Sequence, residues 1–96
     1  MTLTVERFIE DLTPAEYARA ERVESVLPAL RAEAPTADRE GEYPRAHVET
    51  LRRAGLLGLV VPETHGGLGG SLRDLAGAAY AMGTACPSTA MAYFFH

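Results

Sequence analysis

The chain has no lysine. All nine of its basic residues are arginine, against thirteen acids, for a net charge of −4. The arginines are dispersed, and Arg52-Arg53 is the only adjacent pair. Phosphate-backbone binding needs a clustered basic surface, so nucleic acid is not expected as a partner. Without lysine there is also no Gly-Lys-Ser/Thr phosphate loop. Cysteine is nearly absent: Cys86 stands alone, which excludes an internal disulfide and a thiolate metal cluster and fits a reducing compartment. Valine, isoleucine and threonine are sparse, which disfavours sheet. No long apolar run exists; Gly55 to Val61 is far too short to span a bilayer. The first twelve residues, MTLTVERFIEDL, carry acids at Glu6, Glu10 and Asp11 and lack the basic start and apolar centre of a signal peptide. A cytoplasmic protein with no membrane span is expected.

What is present is alanine and helical periodicity. Ninety-six residues allow one small domain at most. Residues 1–12 read as a loosely held leader and 13–96 as a helical domain. Thr13-Pro14-Ala15-Glu16 is a helix start, with Thr13 as cap and Glu16 three residues on to close a capping box. Tyr17, Ala20, Val23, Leu27 and Leu30 follow on one face. Pro28 is expected to kink or end this helix, because it has no N–H and its ring crowds the preceding turn. Residues 34–42, with Pro35 and Gly41, read as a loop. Pro44 opens a second helix with Val48, Leu51 and His47 as inward candidates, although His47 beside Glu49 also reads as surface or half-buried. Gly55 is placed to end it. Leu56 to Val61 is extended or buried irregular chain. Ser71-Leu72-Arg73-Asp74 starts a third helix, in which Gly77 and Gly83 permit close approach of a neighbour. Cys86-Pro87-Ser88 breaks it, and a fourth begins near Ser88. The expected helices are 14–33, 44–54, 71–85 and 88–96, an all-α arrangement of about four helices with a Gly-rich connecting loop. The last residues, Tyr93-Phe94-Phe95-His96, show no cap, which predicts that the domain is incomplete at that end.

The stretch GLLGLVVPETHGGLGGS, residues 55–71, raises the question of chemistry. A dinucleotide fingerprint requires G-x-G-x-x-G, and here Leu72 stands where the third glycine belongs. The loop therefore reads as a structural connection. The helix start at Ser71 offers N–H groups to an anion, but nothing in the pattern demands one. Glu63 and His65 suggest an acid and a base, yet nothing in an exposed loop tunes such a pair. Three scattered histidines make no metal spacing, and Cys86 before Pro87 reads as a packed helix-start residue rather than a nucleophile. Met91 and Phe95, four apart, share a helix face that spacing alone assigns to core.

Several blocks in order carry a family likeness: Ala37-Asp38-Arg39, Tyr43-Pro44, Ala54-Gly55-Leu56-Leu57-Gly58, Val61-Pro62-Glu63, Gly66-Gly67-Leu68-Gly69 and Ser88-Thr89-Ala90. Together, over roughly 60 residues, they resemble the N-terminal helical domain of acyl-CoA dehydrogenases. The resemblance implies the first part of a FAD-dependent enzyme that desaturates an acyl-CoA thioester, with FAD and the catalytic glutamate held mainly by regions outside these residues. No catalytic or metal-binding residue is carried over. The segment 88–96 is implied to line the acyl pocket, which nominates Met91, Phe95 and His96 as substrate-binding residues. An acyl-CoA substrate, an electron-transfer partner and a homo-oligomer are implied for the full-length enzyme. Flavin-dependent monooxygenases of the same fold share a similar helix, loop and Ser-Thr-Ala pattern, and the fuller match of the Leu-Leu-Gly, Pro-Glu and Gly-Gly-Leu-Gly blocks favours the dehydrogenase. A non-enzymatic helical interaction module is the alternative from another class.

Overall fold

The computed structural model describes residues 2–40 and 45–96, with the side chains of 36–40 left aside. Four α-helices account for most of it: α1, Pro14–Glu40; α2, Arg45–Arg53; α3, Leu72–Ala85; and α4, Pro87–Phe94. Short 3-10 turns lie at Thr4–Arg7, Leu56–Gly58 and Glu63–His65. There is no strand among the described residues, so the all-α expectation holds. At about 1.5 Å per residue α1 is about 40 Å long. That matches the longest dimension of the molecule, 38 Å.

The start of α1 is capped as its sequence predicts. The Thr13 backbone N–H donates to Glu16 Oε1 at 2.9 Å, and the Glu16 N–H donates to Thr13 Oγ1 at 3.1 Å. The far end departs from expectation. Neither Pro28 nor Pro35 ends the helix, which runs on through residues 34–40 to Glu40. Pro28 removes one backbone bond, but it lies on the exposed side, where water can reach the freed carbonyl. On the opposite side Val23, Val26, Leu27 and Leu30 are buried. Burying each such chain contributes about 1.5–3 kcal/mol, which together outweighs one missing bond. Gly41 and Pro44 lie outside the described residues.

The leader is held. Leu3, Val5 and Ile9 are buried, and Thr4 donates through its backbone N–H and its hydroxyl to the Glu24 carboxylate, at 3.0 and 3.2 Å. Val5 and Ile9 press on α3 where Gly77 has no side chain; a Cβ there would lie 2.9 Å from Val5 Cγ1. Gly77 thus does what its sequence suggested, whereas a Cβ at Gly83 would meet only ordinary contact, 3.8 Å from Ala90. Phe8 stacks on Tyr80 with ring centroids 4.9 Å apart.

Gly55, at φ +77°, ends α2 in the left-handed conformation, and the Arg22 guanidinium covers the exposed Ala54 carbonyl at 3.0 Å. The apolar segment that follows is a pair of tight turns rather than extended chain. Against it the glycine loop folds back in register: Leu68, Gly69 and Gly70 donate to the carbonyls of Gly58, Val61 and Leu59 at 3.0, 2.9 and 2.7 Å. Gly67 lies so close that a Cβ would come within 2.1 Å of the Val61 carbonyl oxygen. The loop is thus a backbone clasp, and glycine is required for the approach.

Asp74 joins this clasp to the helices. Its Oδ2 accepts the Ser71 N–H at 2.8 Å, closing the start of α3. Its Oδ1 accepts Arg19 Nε at 3.0 Å, and the same guanidinium reaches the Leu68 carbonyl at 3.4 Å. The Asp74 carboxylate is 5% exposed. Burial alone would push its pKa up, but the Arg19 hydrogen bond, the Ser71 N–H and the Arg19 charge outweigh burial and hold it below the ordinary 3.8.

Two expected outcomes follow. Asp74→Asn leaves the half-buried Arg19 without its counter-ion and lowers the unfolding free energy by about 2 kcal/mol in urea titration. Because the native pKa is depressed, this advantage is present above 3.8 and fades as the pH falls through the native value, so wild type and variant converge in acid. Gly67→Ala forces the loop off Val61, with a loss of roughly 1–3 kcal/mol. Hydrogen exchange at the Leu68 and Gly69 amides then speeds up while α1 amides stay protected.

Candidate functional site

α3 packs against α1 on one side and α4 on the other, and the outer surface of the α3–α4 pair is apolar. The break between them is tight: the Cys86 N–H closes α3 on the Met82 carbonyl at 2.7 Å, and Pro87 begins α4. A helix that starts there turns one face inward and the other out. Thr89, Ala90 and Tyr93 are buried, with the Tyr93 hydroxyl donating to the Leu56 carbonyl at 2.6 Å. Met91 is 67% exposed and Phe95 78% exposed. With Phe94, Pro87 and Ala90 on α4, and Ala79 and Gly83 on α3, they line an open groove of about 330 Å³.

The nominated residues separate. Met91 and Phe95 share the groove. They are not core, as their spacing alone had suggested. His96 does not line the groove: its ring stacks on Tyr93 at 4.8 Å, its Nδ1 meets the Tyr93 carbonyl, and its Nε2 lies 3.0 Å from the Leu57 carbonyl. Helix α4 ends at Phe94 rather than running to residue 96, because the His96 N–H closes a tighter turn on the Tyr93 carbonyl. Phe94, Ala79 and Gly83 were missed. Their signal was present: 79 and 83 are four apart on α3, and 87, 90, 91 and 94 fall on one side of α4.

The other sequence candidates stay apart. Glu63 and His65 occupy an exposed turn, and no group of described residues has the composition of a metal site. His47, which the sequence left open between an inward and a surface or half-buried position, is buried at 1% exposure, turned inward with Leu51. Its Nδ1 lies 2.6 Å from Thr89 Oγ1, and the Thr89 hydroxyl donates to Cys86 Sγ at 3.3 Å. Burial lowers its pKa below the ordinary 6.5, partly opposed by the negative field of Glu33. No helix of the described residues is long and apolar enough to cross a membrane.

The groove accepts an apolar surface. A flavin requires donors for its ring edge and a cation or free helix amides for its phosphates. The groove lining supplies neither, so these residues do not by themselves make a flavin site, and no step is derived through one.

The helical unit thus clasps a glycine loop and turns an apolar groove outward. The acyl-CoA dehydrogenase N-terminal domain profile matches residues 13–96, and the chain belongs to that family. It is 37% identical over 97 residues to an L-evernosamine nitrososynthase of Micromonospora, covering 95% of this chain and 23% of the relative. It is 44% identical over 68 residues to an amino sugar nitrososynthase of Streptomyces peucetius, covering 70% of this chain and 17% of the relative. A third amino sugar nitrososynthase, from Streptomyces rubradiris, is 39% identical over 87 residues, covering 85% of this chain and 21% of the relative. The chain spans about a fifth of the length of these relatives. No solved structure matches it at a significant level.

Exposure separates the two aromatic positions energetically. Phe95→Ala changes the unfolding free energy by less than about 0.5 kcal/mol, as surface changes do. Tyr93→Ala removes a buried ring and lowers it by about 3–5 kcal/mol. Paired thermal melts of the two variants check this.

Proposed function

We propose that this chain is the N-terminal wall of a flavin-dependent enzyme that oxidises the amine of an amino sugar to a nitroso group. The single observation that supports this reading is the likeness, at 37–44% identity, to three proteins named as nitrososynthases. Members of the acyl-CoA dehydrogenase family are flavoproteins, and FAD is the cofactor that reading implies for the whole enzyme. Oxygenation by a reduced flavin is the monooxygenase alternative within this fold. In the net reaction a primary amine gains one oxygen atom and loses two hydrogens, a four-electron oxidation; two dioxygen molecules and two two-electron equivalents from a reductant, with four protons, give the nitroso product and three waters. On this reading Met91, Phe94 and Phe95 present a dry surface to the carbon face of the sugar, while polar and cofactor contacts come from elsewhere in the enzyme. Burying one sugar methyl or methylene there contributes about 0.8 kcal/mol.

Acyl-CoA desaturation is the second reading. Its support is the family profile across residues 13–96, and in it the same groove takes the acyl chain. His96 then stands beyond the pocket, against Tyr93 and the Leu57 carbonyl. In either reading the full-length enzyme is a homo-oligomer with an electron-supplying or electron-accepting partner.

The discriminating experiment uses the full-length enzyme with flavin, a reductase and isotopically labelled dioxygen. The expected result is labelled oxygen in the product of an amino sugar, with no change in an acyl-CoA. Flavin reduction by an acyl-CoA without dioxygen, with an unchanged amino sugar, overturns the first reading in favour of the second. Phe95→Ala is expected to raise KM for the preferred substrate several-fold with a smaller change in kcat, since the wall binds ground and transition states alike.

A further inference from the structure

The buried His47 ties α2 to α4. It sits on α2, and its partner Thr89 sits in the first turn of α4, the helix that carries Met91 and Phe94 and leads into Phe95. A hydroxyl has one proton, and we assign that of Thr89 to Cys86 Sγ, 3.3 Å away. Thr89 Oγ1 therefore accepts from His47 Nδ1–H, which makes the other ring nitrogen, Nε2, the bare one. Nε2 is buried and has no hydrogen-bond partner among the described residues. The neutral ring thus satisfies Thr89 and leaves a lone pair idle, at a modest penalty. A protonated ring puts a charge and an N–H donor into the same dry place.

We propose that His47 is a proton-sensitive latch on α4: the neutral ring holds Thr89 and so fixes the groove, and a second ring proton releases the helix. The released ring swings toward water and toward Glu33 on α1, the charged group whose field reaches it. Thr89 then loses its donor, the Thr89–Cys86 contact loosens, and the helix start that orients Met91 and Phe95 shifts. From α4 the groups that face the ring are the Thr89 hydroxyl and, through it, the Cys86 thiol. The proposal concerns the placement of the helix and stands whichever substrate the groove takes.

The sign follows from burial. Above pH 6.5 the ring is neutral both folded and unfolded, and the latch is fully closed. As the pH falls below 6.5 toward the lower native pKa, the unfolded or released form takes up the proton first, and closure weakens.

The test reads α4 directly. Full-length protein is treated with 4,4′-dithiodipyridine, which reacts with thiols in mild acid, and Cys86 labelling is followed by peptide mass spectrometry between about pH 7.5 and 5. Normalised to a free cysteine peptide, the labelling rate is expected to rise by up to about tenfold per pH unit until the ring is charged. His47→Asn keeps a donor for Thr89 and cannot titrate, so the rise should vanish. His96→Asn and Glu33→Gln should keep it, the latter displaced to lower pH. In wild-type protein the methyl resonance of Met91 should shift with the same midpoint as the His47 ring, a readout that needs no variant to fold. A flat labelling profile, a rise that persists in His47→Asn, or a Met91 methyl that ignores the His47 titration each overturns the latch.

Discussion

The carboxylate of Asp74 is the point on which the rest of this structure depends. One oxygen closes the start of α3, and the other holds Arg19 of α1. Arg19 in turn touches the Leu68 carbonyl of the glycine loop. The glycine loop and the adjoining start of α3 are thereby fixed to α1, some fifty residues away, through one buried carboxylate. Arg73, its neighbour, extends the arrangement outward: its guanidinium meets Glu16 at 2.9 Å and the Glu10 carbonyl at 2.7 Å. That bond joins α3 to the cap of α1 and to the end of the leader. The outer pair is more exposed and contributes less, since solvent screens it; the inner pair cannot lose a member without leaving a charge stranded.

With α1, α3 and the loop fixed in this way, α4 has little freedom in where it lies. It begins directly from the end of α3, and its inner side is set by Tyr93 on the Leu56 carbonyl and Thr89 on His47. The outward placement of Met91, Phe94 and Phe95 is the consequence. These apolar side chains are left without cover in this chain and lie together in one groove. The Ser88-Thr89-Ala90 block, met first as a family likeness, has a physical basis here, because Thr89 is the buried polar contact between α2 and α4.

The glycine loop shows how a motif can be legible in one respect and not in another. Its failure to match a phosphate loop or a dinucleotide fingerprint could be read directly from residue order. Its actual role could not. The need for glycine at position 67 comes from the Val61 carbonyl, brought close only when the chain folds back on itself. The leader is a similar case. Leu3, Val5 and Ile9 form too short a pattern to mark a buried face, and the burial of Val5 and Ile9 depends on the space over Gly77 on a helix some seventy residues away.

Local signals were determined by the sequence alone: the Thr13–Glu16 cap, the Ser71–Asp74 start, the Gly55 stop, the Cys86-Pro87 break and the inner face of α1. Each depends on residues within one or two turns of one another, so no distant partner is needed to read them. Tertiary structure alone decided the continuity of α1 through Pro28, the depth at which His47 is buried, the docking of the leader and the division of Met91 and Phe95 from His96. In each of these a distant contact outweighed a local preference. Proline lacks one hydrogen bond, but a buried apolar face spread over several turns compensates for it. Histidine tolerates burial when a hydroxyl on another helix accepts its proton. The outward face of α4 is legible as a helix from its spacing, but whether such a face is core or wall depends on what lies opposite, which spacing does not record.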